Sequence, residues 1–108
     1  MRFEVITIFP QFFQSFTKEA LIARALKKKI IKITAHNLRR WTADNHQSVD
    51  DRPYGGGVGM VMMVQPIQKA VRSVQGGGSR KKKSRVILFS AKGKEFTQRK
   101  AREWSKLN

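Results

Sequence analysis

Two adjacent carboxylates, Asp50 and Asp51, are followed at once by Arg52, Pro53 and Tyr54 and then by glycines at 55, 56, 57 and 59. A pair of acids in such a place can hold a magnesium ion or take up a proton as a base. It is equally the composition of a turn, in which an aspartate accepts from a nearby backbone N–H or pairs with Arg52. The glycines admit positive φ and let backbone approach a ligand closely, a phosphate included, and a mobile lid accounts for them as well. A second group, Leu88-Phe89-Ser90-Ala91-Lys92-Gly93, follows a predicted parallel strand at its carboxyl end, where open α/β sheets place their ligands. Ser90 is positioned to hydrogen-bond a ligand, or, with Gly93, only to turn the chain into the next helix. His36 and His46 lie ten residues apart without a ligand-type partner nearby, so His36 is read as ending a strand and His46 as a polar loop residue. No GxxxxGK[ST] loop and no strand-linked GxGxxG is present, which sets aside P-loop NTPases and classical dinucleotide-binding domains.

Around these groups the charge is strongly one-sided. Lysine and arginine total 23 against 7 acids, a formal charge of +16, while 40% of the residues are hydrophobic. The apolar fraction is that of a folded domain, and the charge attracts polyanions, with nucleic acid ahead of anionic membrane. The cations gather at Lys27 to Lys29, Arg39 and Arg40, Arg80 to Arg85, and Lys92 to Arg102, with Trp41 and Tyr54 near two of the groups. Each run alone is an ordinary solvated surface; together they resemble a phosphate-tracking face with aromatic rings available to unpaired bases. With no cysteine, disulfides, thiolate zinc sites and cysteine nucleophiles are excluded, and the default location is intracellular. No apolar run approaches the length of a membrane span.

The 108 residues fit one domain or a piece of one. Residues 3 to 9 read as a buried strand closed by Pro10. From Phe12 to Leu26 the residues Phe12, Phe16, Ala20 and Ala23, flanked by Phe13, Leu21 and Leu26, mark a helical stripe, divisible into two helices with Thr17 capping the second. Residues 30 to 35 form a second strand, parallel to the first because a helix separates them. Residues 36 to 59 carry no sustained period and read as a long loop, of which 42–59 is the candidate functional part. Pro66 opens a helix with the stripe Ile67, Ala70, Val71 and Val74, ending at Gly76. A basic, flexible linker over 76–85 leads to a third strand, Val86 to Phe89. Thr97 then caps a helix, with Phe96 and Ala101 placed as a hydrophobic staple and Trp104 on the same face. The order β-α-β-loop-α-β-α predicts an α/β sandwich on a parallel sheet. Three strands are few for a sheet covered on both sides, and Trp104 and Leu107 are left without evident partners, which suggests part of a longer domain.

The string DDRPYGGGVGMV beginning at Asp50, preceded by Asp44, His46 and Val49, closely resembles the signature loop of bacterial tRNA (guanine-N1)-methyltransferases of the SPOUT superfamily. Other segments agree in the same order: RFEVITIFPQFF, LIARALKK, Asn37-Leu38-Arg39, MVMMVQPI and VILFSAKGKEFTQRKA. The resemblance covers essentially the whole chain. It implies transfer of a methyl group from S-adenosylmethionine to N1 of guanosine-37, beside the tRNA anticodon, by a cytoplasmic homodimer with a trefoil-knot domain. It also implies that Leu88, Phe89, Ser90 and Ala91 hold the methyl donor. The loop with Asp50, Arg52, Tyr54, Gly55, Gly56, Gly57 and Gly59 would then face the substrate as a lid, and the partner would be the tRNA anticodon stem-loop. Residues 1–108 would be the N-terminal portion of the donor-binding domain, with the knot incomplete. The family's later glycine-rich loops, its catalytic aspartate and its C-terminal helical domain have no counterpart in this sequence, so no catalytic residue is assigned and the chain is expected to be inactive alone. Magnesium, held by phosphates or by the acidic loop, is an open second cofactor. Three positions depart from the family pattern: Val58 and Ala91 stand where proline is usual, and Lys29 where a helix-ending glycine is common. Two other readings remain: a stand-alone basic RNA-binding module without catalysis, and an incomplete domain that folds poorly.

Overall fold

The computed structural model describes residues 1–76 and 84–106. Most of the expected linker over 76–85, and Leu107, lie outside the described residues. Strand β1, Arg2–Thr7, pairs in parallel with β2, Lys32–Asn37, with Phe3 opposite Ile33 and Val5 opposite Ala35. The Thr7 hydroxyl accepts from the Phe9 N–H at 3.1 Å and ends β1 just before Pro10. Parallel pairing requires a crossover, and two helices provide it, α1, Phe12–Lys18, and α2, Ala20–Lys27.

The division between α1 and α2 falls two residues after Thr17. That hydroxyl does not cap α2; it donates backward to the carbonyls of Phe13 at 2.7 Å and Gln14 at 3.1 Å. The extended Glu19 and Ala20, at φ 45°, then turn the chain. The stripe also differs from expectation, because Phe13 and Thr17 are the half-buried residues of α1 while Phe12 and Phe16 face solvent. The break after Lys18 resets the helical phase, so a stripe drawn through both helices cannot follow one face. Helix α2 ends in a Schellman arrangement, with Lys29 N–H donating to Leu26 and Ile30 N–H to Ala25. Lys29 sits there at φ 56°, in the region that favours glycine.

The opposite face of the sheet is covered by α3, Val64–Gln75, which starts two residues before Pro66 and ends, as expected, at a left-handed Gly76. Its Ala70 is buried with Leu38 and Val49, and Ile6, Ile8, Trp41 and Ile67 pack around these three. A polar line crosses the same pair of strands: Arg2 Nε lies 2.7 Å from Glu4 Oε1, and Glu4 Oε2 lies 2.6 Å from His36 Nε2. His36 is thus a strand residue satisfied by a neighbouring carboxylate, with the Trp41 ring edge-on at 6.0 Å.

The third strand does not form. Val86, Ile87, Leu88 and Phe89 adopt no regular structure, and Leu88 and Phe89 are 81% and 90% exposed. A buried strand needs a ladder neighbour and cover on both faces, and among the described residues nothing pairs with it. After it, α4, Gln98–Trp104, is capped by Thr97 Oγ1, which accepts from Lys100 N–H at 3.4 Å. Trp104 is half-buried against Phe96, ring centroids 5.2 Å apart, with the Arg85 guanidinium 5.0 Å from its ring. Trp104 therefore has partners, both within residues 84–106. The surface of 9955 Å² compares with roughly 6,100 Å² for a compact monomer of this mass. The radius of gyration, 16.2 Å, exceeds the roughly 13 Å of such a monomer.

Candidate functional site

At its carboxyl end β2 runs straight into a 3₁₀ turn, Leu38–Trp41, capped by Asn37 Oδ1, which accepts from Arg39 N–H at 3.1 Å. Leu38 is buried and anchors the turn to α3. The Arg39 guanidinium donates to the carbonyl of Gln47 at 2.9 Å, so this cation braces the loop, whereas Arg40 is exposed. Asp44 closes the next turn: its carboxylate accepts from the Ser48 N–H at 3.0 Å and from the Ser48 hydroxyl at 2.7 Å. These bonds, the hydroxyl's first, hold the Asp44 carboxyl below its ordinary value, with a smaller contribution from His46.

The expected long loop therefore contains structure that the sequence did not reveal. Val49 is buried, and its carbonyl accepts from Met63 N–H at 2.8 Å. From that clasp, β3, Asp50–Asp51, pairs antiparallel with β4, Val61–Met62, Asp50 opposite Met62 and Asp51 opposite Val61. Residues 52–60 are the tip of a hairpin. Gly55, Gly56, Gly57 and Gly59 all have positive φ, between 81° and 126°, and the Gly56 N–H donates to the Pro53 carbonyl at 3.1 Å. Asp51 Oδ1 accepts from the Arg52 N–H at 2.7 Å, so the turn-forming reading of this acid is realised.

Behind the hairpin lies an open cleft of about 400 Å³, walled by Asp44, Asp50 and Asp51 together with Thr42, Gln65 and Met63. Three of the chain's 7 acids thus meet at one cleft in a protein of charge +16. Carboxylates so placed accept hydrogen bonds from neutral N–H groups and repel phosphate. Among the described residues no group of three or more His, Asp or Glu is arranged to hold a metal ion.

The second candidate group stands apart. None of Leu88, Phe89, Ser90 and Ala91 lines this cleft, and all four are exposed. The Ser90 carbonyl accepts from the Gly93 N–H at 2.9 Å, and its hydroxyl accepts from the Lys92 N–H at 3.3 Å. A Cβ on Gly93 would meet the Ser90 carbonyl oxygen at 2.9 Å, which explains the glycine. Sequence reasoning missed Thr42, Ser48, Met63 and Gln65 as cleft residues, and the bracing of the loop by Arg39. Only the four-residue spacing of Asp44 and Ser48 carried a signal, and it is a weak one.

A parallel β-α-β unit with helices on both faces, and a loop-built cleft beyond the carboxyl end of a strand, defines the first part of an open-sheet α/β domain. The chain belongs to the tRNA (guanine-1)-methyltransferase TrmD family, whose model it matches over residues 1–108. It is 48% identical over 103 residues to a tRNA (guanine-N(1)-)-methyltransferase of Thermomicrobium roseum, covering 95% of this chain and 38% of that protein. A Clostridium botulinum protein of the same name is 45% identical over 106 residues, covering 98% of this chain and 42% of its own length. The crystal structure of tRNA (m1G37) methyltransferase from Aquifex aeolicus superposes with a TM-score of 0.66 at 34% identity, over 71% of this chain and 34% of that one. The chain thus spans well under half of these relatives and has the fold of the N-terminal part of a SPOUT methyltransferase. Among the described residues no helix is long and apolar enough to cross a membrane.

Proposed function

We propose that this chain is the tRNA-facing, N-terminal portion of a tRNA (guanosine-37-N1)-methyltransferase, cytoplasmic and homodimeric in its longer form. The observation that carries this reading is the hairpin over residues 50–62: the segment that resembles the family's signature loop is also the one built outward from the core beside a cleft of hydrogen-bond acceptors. Guanine presents N1–H and its exocyclic amine on one edge, and these donors suit Asp44, Asp50 and Asp51 better than a phosphate would. The basic groups outside the cleft supply the sequence-independent grip on the anticodon stem-loop.

S-adenosylmethionine, when bound, supplies an electrophilic methyl carbon on sulfur. Leu88 and Phe89 are free to cover a flat adenine, and the Ser90–Gly93 turn offers backbone, so these residues fit one wall of a donor site. The guanine N1 must lose its proton as it gains the methyl group. No residue of this chain is given that role, and the chain alone is expected not to turn over. Among the described residues Asp50 and Asp51 belong to no group of three or more His, Asp or Glu arranged to hold a magnesium ion.

The test is equilibrium binding to an anticodon stem-loop RNA carrying guanosine, or adenosine, on the 3′ side of the anticodon. The reading expects preference for guanosine and a steep loss of affinity with salt. Equal affinity for both RNAs would instead support the stand-alone basic module.

A further inference from the structure

The hairpin tip presents a feature that the proposed reaction does not by itself require. Tyr54 is 108% exposed and so is Val58, which means that neither side chain rests on anything in the fold. Single exposed apolar residues are common and need no explanation. The backbone that carries this one is less ordinary. Gly55, Gly56, Gly57 and Gly59 hold positive φ, and a Cβ at 55, 56 or 59 would meet nothing within 4 Å. Crowding therefore does not explain these glycines; the shape of the arch does. Glycine loses more freedom on folding than any other residue, so a four-glycine arch is costly to order, and no intramolecular packing of Tyr54 or Val58 offsets that cost.

We propose that Tyr54 is a stacking plate for an unpaired RNA base, carried on the tip of the hairpin whose strand Asp50–Asp51 walls the acidic cleft. This inference rests on the tRNA reading and deepens it by naming the residue that selects an unstacked base. Three observations converge. The ring is fully accessible on both faces. Asp51 lies three residues before it, on the strand that walls the cleft. The carboxylates there disfavour a phosphate but accept from the polar edge of a base. Arg52, exposed between Asp51 and Tyr54, is the one cation on the tip and is available to the adjoining phosphate. A duplex cannot use this geometry, because its bases are already stacked and its phosphates would face the acids.

Tyr54 is the only tyrosine in the sequence, which makes the test clean. The chain is labelled with 3-fluorotyrosine and titrated, by fluorine NMR, with the anticodon stem-loop RNA, with the corresponding duplex and with inorganic polyphosphate. The expected result is a ring-current shift of the single resonance with the stem-loop alone. Binding without that shift would overturn the stacking role while leaving the tRNA reading intact; failure of the stem-loop to bind would sink the tRNA reading itself. As a second arm, Tyr54→Phe is expected to keep stem-loop affinity and Tyr54→Ala to lower it between about five- and one-hundred-fold. Equal losses in both variants would overturn the proposal.

Discussion

The runs Phe3 to Phe9 and Val86 to Phe89 are made of the same residue types, yet one becomes a strand with a core beneath it and the other stays in solvent. Strand β1 has a parallel neighbour, helices α1 and α2 on one face and α3 on the other. The later run has none of these among the described residues. An apolar, β-branched sequence records what a segment can do when its hydrogen bonds and both faces are satisfied; it does not supply the neighbours. The functional consequence follows the same division. The hairpin proposed to face RNA grows from the ordered region and is clasped to it at Val49, whereas residues 88–91, proposed to hold the donor, belong to the uncovered one.

The largest expected effect is the contrast between core and exposed substitutions. Leu38→Ala removes a side chain 1% exposed and is expected to cost about 2–5 kcal/mol in urea denaturation, enough to unfold a marginal domain. Phe89→Ala, at 90% exposure, is expected to stay within about 0.5 kcal/mol. A comparable loss from Phe89→Ala would show that the second region is packed after all. Next in size is Lys29→Gly, which relieves the left-handed strain at the end of α2 and should stabilise the first region by about 1 kcal/mol; a loss of stability would count against the Schellman geometry.

Trp104→Ala sharpens the comparison differently. Its partners Phe96 and Arg85 both lie within residues 84–106, so hydrogen exchange should quicken in α4 and remain unchanged at Ile6 and Val49. Spread of the effect into β1 would mean that the two regions are coupled. The smallest effect concerns Asp44. A carboxyl held below its ordinary value favours the folded loop above that value, and the contribution is lost as pH falls through the lowered one. Ser48→Ala should therefore raise the Asp44 titration midpoint toward 3.8 in carboxyl NMR, and an unmoved midpoint would remove Ser48 as the cause.

Much of the ordered region was legible in sequence because its signals are local. The parallel pair followed from two apolar runs and a helical crossover, the end of α3 from Gly76, and the start of α4 from Thr97. Thr17 misled because its hydroxyl serves the helix behind it as readily as one ahead. Strands β3 and β4 have two residues each, too few to leave an alternation, so the hairpin was hidden inside a long loop. The cleft was partly legible through Asp50 and Asp51. Ser48, Met63 and Gln65 reach it only because Val49 and Met63 are joined, and no spacing rule encodes that contact. The Val86 to Phe89 strand failed for the opposite reason: its signal was clear, and among the described residues no strand pairs with it.

The hairpin proposed to meet RNA is ordered in this chain, and the proposed donor side at residues 88–91 is exposed and without regular structure. Calorimetric titration of the folded chain with S-adenosylmethionine, alongside the anticodon stem-loop RNA, tests this division most directly. The prediction is saturable heat with the RNA and none with the donor. One-to-one donor binding would contradict the account, since residues 88–91 would then form a working pocket within this chain.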